Sequence, residues 1–307
     1  MIAPGTAPSG TAYQEIRLER IASGARKRPR FQLRQPAGQL AFDATGVVVA
    51  AVMLFPIYWM VATAFKPGRD ILSLTPKWFP DPFTLQNFQD AIARPYFLDD
   101  VRNSLIVVAA MLAISLTVAF LAAVGVARFG FKGRTAFLIM VIGVQLVPLN
   151  SLIIPLYLML DGVGQTDALP GVIAIYLAVV LPFMVWTLRG FVANIPVELE
   201  EAAMIDGCTR VGAFFRITFP LVGPGLVATA VFGFIQAWNE YIIAYVLLSS
   251  PGNQTLTVWL ASFTTNHGPE WGPLMAAATL TGLPVVAFFL IVQRYLAGGL
   301  TAGAVKG

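Results

Sequence analysis

Three adjacent residues, Trp238, Asn239 and Glu240, fall within a long apolar run of the sequence. At membrane depth such side chains are costly unless they are paired or face water. Their types suit a polyhydroxylated solute, with an indole face for the apolar side of a pyranose and amide or carboxylate acceptors for its hydroxyls. They suit hydrogen-bonded bracing between neighbouring helices equally well. Consecutive helical side chains diverge by about 100°, so the three cannot all face one cavity. Asn239 is the residue assigned here to a path, and Glu240 is assigned to a brace. Gln145 and Asn150, on either side of Pro148, complete the candidate substrate-path set.

A second group has a different chemistry. Glu201-Ala202-Ala203, Gly207, Ile217 and Phe219-Pro220 form a polar island between apolar runs. Asn194 is expected to cap a helix with Pro196 at its first position. Glu198, Glu200 and Glu201 favour the positive end of its dipole. Gly207 permits the left-handed turn that ends it, and Thr209 caps a second helix that Pro220 is expected to terminate. The product is an L-shaped helix pair with small side chains, fit to dock in another protein's groove.

Catalytic sets are missing. There is no phosphate-binding Gly-x-x-x-x-Gly-Lys-Ser/Thr loop, no Gly-x-Ser-x-Gly elbow and no His-Glu-x-x-His. The chain is therefore expected not to hydrolyse ATP and to hold no cofactor or metal of its own. His267 has no companion ligands, and the single cysteine, Cys208, excludes an internal disulfide.

These residues need apolar elements to position them. Hydrophobic residues make up 57% and charged residues 12% of the 307 residues, with a mean hydropathy of +0.74. A soluble domain carries about twice that charge. Six apolar runs reach the roughly 20 residues a membrane helix needs: Ala44–Phe65, Ser104–Ala127, Ala136–Leu160, Leu169–Gly190, Leu221–Ser249 and Leu274–Tyr295. The fold class is all-α, a polytopic membrane protein of six transmembrane helices. Pro56, Pro148, Pro155, Pro182 and Pro284 are read mainly as kinks.

Orientation follows the basic residues. Arg17 to Arg34 precede the first run; Arg128, Lys132 and Arg134 follow the second; Arg189 lies at the end of the fourth, and Arg210 and Arg216 follow it. The positive-inside rule puts both termini and the Glu201 loop in the cytoplasm. The net charge of +4 reads as topology, not nucleic-acid binding. Residues 1–42 are expected to be a basic, partly disordered segment rather than a signal peptide. Its arginines could also touch anionic headgroups. Residues 43–296 form the transmembrane domain, with the docking loop at about 192–220, and 297–307 a Gly-rich cytoplasmic tail. The loop Lys66–Asn103 should carry an interfacial helix, Leu85–Ala93, either as a partner platform or as a cap on the bundle.

The spacing Glu-Ala-Ala, three residues, Gly, nine residues, Ile, one residue, hydrophobe-Pro resembles the coupling loop of ATP-binding-cassette importer permeases. Phe219 stands where leucine is usual. With the Gln236–Tyr241 segment and the tail Gln293–Gly307, the chain from about Asp43 resembles the smaller permease of carbohydrate importers of the maltose type. That resemblance implies a prokaryotic inner-membrane location. It implies ATPase coupling through Glu201, Ala202, Ala203, Gly207, Ile217 and Pro220, and ATPase contacts from tail residues Leu300, Thr301 and Gly303. The partners it implies are a second permease subunit, an ATPase dimer holding ATP and magnesium, an extracytoplasmic solute-binding protein, membrane lipid and a sugar substrate. A permease for a peptide, amino acid or polyamine is the alternative. An ion-driven transporter and a lipid-modifying enzyme are the other classes weighed. Glu240 is the one obvious intramembrane acid for the former, and the latter lacks a catalytic set.

Overall fold

A computed structural model describes the backbone of residues 37–303 and the side chains of residues 42–295. Readings made for residues 1–36 and for the last four residues lie outside the described residues. Among the described residues the protein is helical, apart from one short hairpin of Thr264–Thr265 with Gly268–Pro269. The chain divides into two units, Met1–Phe55 and Pro56–Gly307. Helix α1, Ala37–Ala64, begins in the first and ends in the second, and its Phe42–Ala64 stretch is long and apolar enough to cross a membrane.

The second unit continues with α2 (Gly68–Ile71), α3 (Gln86–Ala93) and α4 (Phe97–Arg128). Next come α5 (Arg134–Val144), α6 (Leu149–Asp161), α7 (Leu169–Ala193) and α8 (Val197–Ile205). A short α9 (Arg210–Ala213) runs through a π-turn, Phe214–Thr218, into α10 (Phe219–Trp238). Helices α11 (Ile242–Leu247) and α12 (Leu256–Ala261) precede α13 (Trp271–Gly303). Among the described residues five helical segments are long and apolar enough to cross a membrane, and α5 with α6 make a sixth if that bent pair is one span.

The core lies where α4 and α7 pack along their length, joined by α10. Val107, Met111, Ala119 and Ala123 of α4 are buried with Val172, Val180, Met184 and Leu188 of α7. Two glycines of α10 permit the close approach. A Cβ on Gly233 would stand 2.3 Å from the Met184 methyl, and one on Gly225 would stand 2.4 Å from the Phe191 ring. Small residues at such crossings are how membrane helices gain packing contact.

Several expected boundaries move. Helix α4 starts at Phe97, not Ser104, with Asp99 and Asp100 in its first turn, where carboxylates suit the dipole. The short helix expected in the Lys66–Asn103 loop is present as Gln86–Ala93. The run Ala136–Leu160 is not straight: α5 and α6 meet at 97°. Pro148 lacks an N–H and pushes Val147 away from helical geometry, so the bend falls there. The run Leu221–Ser249 is not one helix either and breaks after Trp238. The last helix does not stop near Tyr295 but continues through Gly298 and Gly299 to Gly303.

Candidate functional site

The loop between α7 and α10 folds as a helix pair, and its chemistry differs from expectation at both ends. Asn194 does not start α8; it ends α7, its N–H bonding the carbonyls of Gly190 and Val192. Pro196 takes the extended position before the helix, which begins at Val197. Pro220 terminates nothing. It lies in the first turn of α10, directly after the π-turn. The wider turn pairs the Phe219 N–H with the Phe214 carbonyl and lets the chain continue past a residue that has no N–H.

Between those ends the turn chemistry is as the residues imply. Gly207 has φ +92°, the left-handed region. Its N–H bonds Met204 at 3.1 Å and the Cys208 N–H bonds Ala203 at 3.0 Å, the paired closure of a Schellman turn. The Thr209 hydroxyl accepts from the Gly212 N–H at 3.1 Å and caps α9. Glu201 and Ala202 are exposed, Ala203 and Ile217 are half-buried, and Pro220 is exposed. Ile205 is 87% exposed at the tip, so the pair offers an uncovered surface of small and apolar side chains.

The polar residues of the candidate substrate path separate. Trp238 departs from a path-lining position. Its ring is buried and stacked on Phe234, and its indole N–H donates to the Thr281 carbonyl at 3.3 Å. Glu240 is held on every side. Its carboxylate accepts from the Tyr176 hydroxyl at 2.7 Å and from the Ile243 and Ala244 N–H groups at 2.8 and 3.2 Å, while Thr257 donates to its carbonyl. By capturing the first N–H groups of α11, it stops α10 from continuing and starts a new helix. Asn239 is exposed at the break and uses its amide nitrogen only on Ile235, one turn back. Gln145 and Asn150 are exposed at the other break, between α5 and α6, where Gln145 donates to the Val179 carbonyl at 3.2 Å. Broken membrane helices place polar side chains and free backbone groups where a path can use them. The backbone of Leu300, Thr301 and Gly303 is helical, and their side chains lie outside the described residues. Among the described residues no cluster of His, Cys, Asp or Glu could hold a metal ion.

The family described as binding-protein-dependent transport system inner membrane component matches residues 115–301, which include the loop and both breaks. The chain belongs to this family. It is 43% identical over 270 residues to the diacetylchitobiose uptake system permease protein DasC of Streptomyces coelicolor, covering 88% of this chain and 98% of that protein. It is 33% identical over 264 residues to the trehalose/maltose transport system permease protein MalG of Thermococcus litoralis, covering 85% and 94%. In fold it is similar to a chain of a bacterial ABC transporter involved in the import of the acidic polysaccharide alginate. That likeness has a TM-score of 0.71 at 19% identity and covers 85% of this chain and 98% of that one. This inner membrane component is therefore a multi-pass protein of a prokaryotic inner-membrane transport system.

Two sets of contacts in this family member are not legible in its sequence. Arg128, at the end of α4, donates from Nε to the Glu200 carboxylate at 2.9 Å and from Nη2 to the Ile195 carbonyl at 3.1 Å. The Thr218 hydroxyl donates to the same Glu200 oxygen at 2.5 Å. In the sequence Arg128 reads as a topology signal and Glu200 as a dipole partner. Nothing local pairs positions 72 apart in the chain. A second unforeseen lock joins two loops at the other end of the bundle. Asp167, with φ +54°, accepts from the Ser249 and Ser250 N–H groups at 2.9 and 3.0 Å and from the Asn253 amide. Partial burial raises the Asp167 pKa, but the hydrogen bonds from Ser250, Asn253 and Ser249 outweigh it and hold the carboxyl below its ordinary value.

Proposed function

We propose that this chain is the permease subunit of an ATP-driven importer, forms half of the path for a sugar or oligosaccharide, and is driven through the loop from Glu201 to Pro220. The observation that carries the reading is the exposed helix pair closed at Gly207 and tied to the bundle by Arg128, Glu200 and Thr218. A rigid, uncovered element fixed to the ends of two spans is what a moving partner needs to grip. Family membership and relatives named for diacetylchitobiose and for trehalose or maltose support the substrate class. Both termini and the loop face the cytoplasm in this reading, because the basic residues cluster on that side. ATP and magnesium sit on a pair of partner ATPases, a second permease completes the path, and an extracytoplasmic solute-binding protein delivers the sugar. Closure of the ATPases moves the docked loop, and the spans rock between inward and outward access.

The test is reconstitution of the assembled transporter with its solute-binding protein in vesicles. A panel of mono- and oligosaccharides is compared with peptides, amino acids and polyamines. Sugar-stimulated ATP hydrolysis and sugar uptake are expected, and both should vanish without the ATPase subunits. Stimulation by a non-sugar solute alone would remove the sugar from this reading and leave the importer. Uptake without any ATPase would remove the importer.

A further inference from the structure

A groove of about 440 Å³ opens beside the loop, between the end of α4 and the helix pair. Its volume lies within the range of small-molecule sites. Leu121, Val124 and Phe129 of the α4 end form one wall, and Val211 and Phe215 the other. Leu121, Phe129, Val211 and Phe215 are all exposed. The charged groups at the groove are Arg128, Glu200 and Arg210. Arg128 and Glu200 neutralise each other, and among the described residues no carboxylate lies within ion-pair distance of Arg210. The groove thus carries one uncompensated positive charge.

The gradient along it is informative. Leu121 lies seven residues before Arg128 on one helix, which is about 10 Å along the axis. Apolar residues of α4 line it from Leu121, charged residues begin at Arg128, and Arg210 is its one unpaired cation among the described residues. We propose that it binds an anionic phospholipid, with an acyl chain along Leu121, Val124 and Phe215 and the phosphate at Arg210. A peptide segment is the poorer occupant. Apart from Arg210, and from Arg128 and Glu200, which already have partners, the groove offers its visitor apolar walls, and most of a peptide backbone there would leave N–H and C=O groups unpaired. An acyl chain has no such groups. Binding at this place does not require the transport reading, and it would brace the loop from the membrane side.

The experiment uses the assembled transporter in vesicles of phosphatidylcholine, alone or with added phosphatidylglycerol. Either lipid carries a diazirine on its acyl tail, and labelled peptides are mapped by mass spectrometry. Labelling within 121–129 and 211–215 should favour the phosphatidylglycerol probe about five-fold, the effect of one cation worth about 1 kcal/mol near an anionic surface. Arg210→Gln should bring the two probes level without changing membrane abundance. Val124→Trp should fill the groove and remove both labels. Equal labelling in the unaltered protein, or a preference that survives Arg210→Gln, would overturn the proposal. So would the absence of both labels from these positions in the unaltered protein. If Val124→Trp fails to insert, the Arg210→Gln comparison decides alone.

Discussion

Arg128 and Glu200 meet at 2.9 Å although α4 and α8 lie far apart in sequence, and each side chain is largely withdrawn from solvent (10% and 14% exposed). This contact fixes the exposed helix pair to the end of a span in the core. A movement of one must displace the other or break the pair. Breaking a buried pair by removing one partner costs more than the pair contributes, because a charge is left unpaired.

Arg128→Ala should therefore destabilise the permease by about 2–3 kcal/mol, below the 3–5 of a fully buried pair. Arg128→Lys should recover part of this, since a lysine cannot reach both Glu200 and the Ile195 carbonyl as the guanidinium does. The measurement is a thermal-unfolding series with a double-mutant cycle on Arg128→Ala and Glu200→Ala. A coupling energy near zero would show the contact to be idle.

Gly207 isolates backbone strain from packing. Its φ is +92°, and a Cβ there would meet nothing within 4 Å. Gly207→Val should thus lose only conformational energy, of order 1–3 kcal/mol, by straining the turn or shifting it. Gly207→Asn should lose less, because asparagine tolerates the left-handed region. Co-purification of the ATPase and sugar-stimulated ATP hydrolysis should fall in that order. Normal values for the valine variant would separate the turn from coupling.

The loop was legible because its turn signals are local: a glycine that must be left-handed and a threonine that caps lie within a few residues of the groups they satisfy. The spans were legible by length and apolarity. What escaped was long-range or depended on competition. Pro148 could have been a kink in a straight span, and only the separate packing of α5 and α6 against α7 decides for a break. Glu240 could have lain along a continuous helix, but its partner Tyr176 sits 64 residues away. Trp238 carried the same polar handle as a path residue, and the Thr281 carbonyl that satisfies it was invisible without the fold.

Orientation is checked by labelling with a membrane-impermeant thiol reagent in a Cys208→Ser background. Leu74 is fully exposed in the loop after α1, Val163 is exposed between α6 and α7, and Ile205 is exposed at the tip of the helix pair. Leu74→Cys and Val163→Cys should react in intact cells, and Ile205→Cys only after lysis. Labelling of Ile205→Cys in sealed cells would invert the topology.

Asp167 gives a pH dependence with a definite sign. Its folded pKa is lowered, so its contribution is present above the unfolded value, near 3.9, and is lost as pH falls through the folded value. Between pH 6 and pH 3 the unfolding midpoint should fall more steeply for the unaltered protein than for Asp167→Asn. The asparagine can keep the left-handed backbone and accept from Ser249 and Ser250, but it carries no proton to gain. Identical pH profiles would remove Asp167 as a titrating lock.

Asn239 and Glu240 are neighbours whose surroundings assign them different roles. Glu240→Ala leaves the Tyr176 hydroxyl and the N–H groups of Ile243 and Ala244 without their acceptor. Each unsatisfied buried group costs roughly 1–3 kcal/mol, so membrane abundance and subunit assembly should drop before transport can be judged. Tyr176→Phe removes one donor and leaves the start of α11 intact, and it should lower stability by only about 1 kcal/mol. Asn239→Ala removes a side chain whose nitrogen returns to the Ile235 carbonyl, which the Asn239 N–H already occupies. Little stability should go with it, and abundance should match the unaltered protein. Uptake of radiolabelled sugar by the assembled transporter should nevertheless fall several-fold, because the break exposes this amide. If Asn239→Ala transports at the normal rate, the polar break in α10 braces the bundle and the solute passes elsewhere, with Gln145 and Asn150 at the second break the next residues to alter.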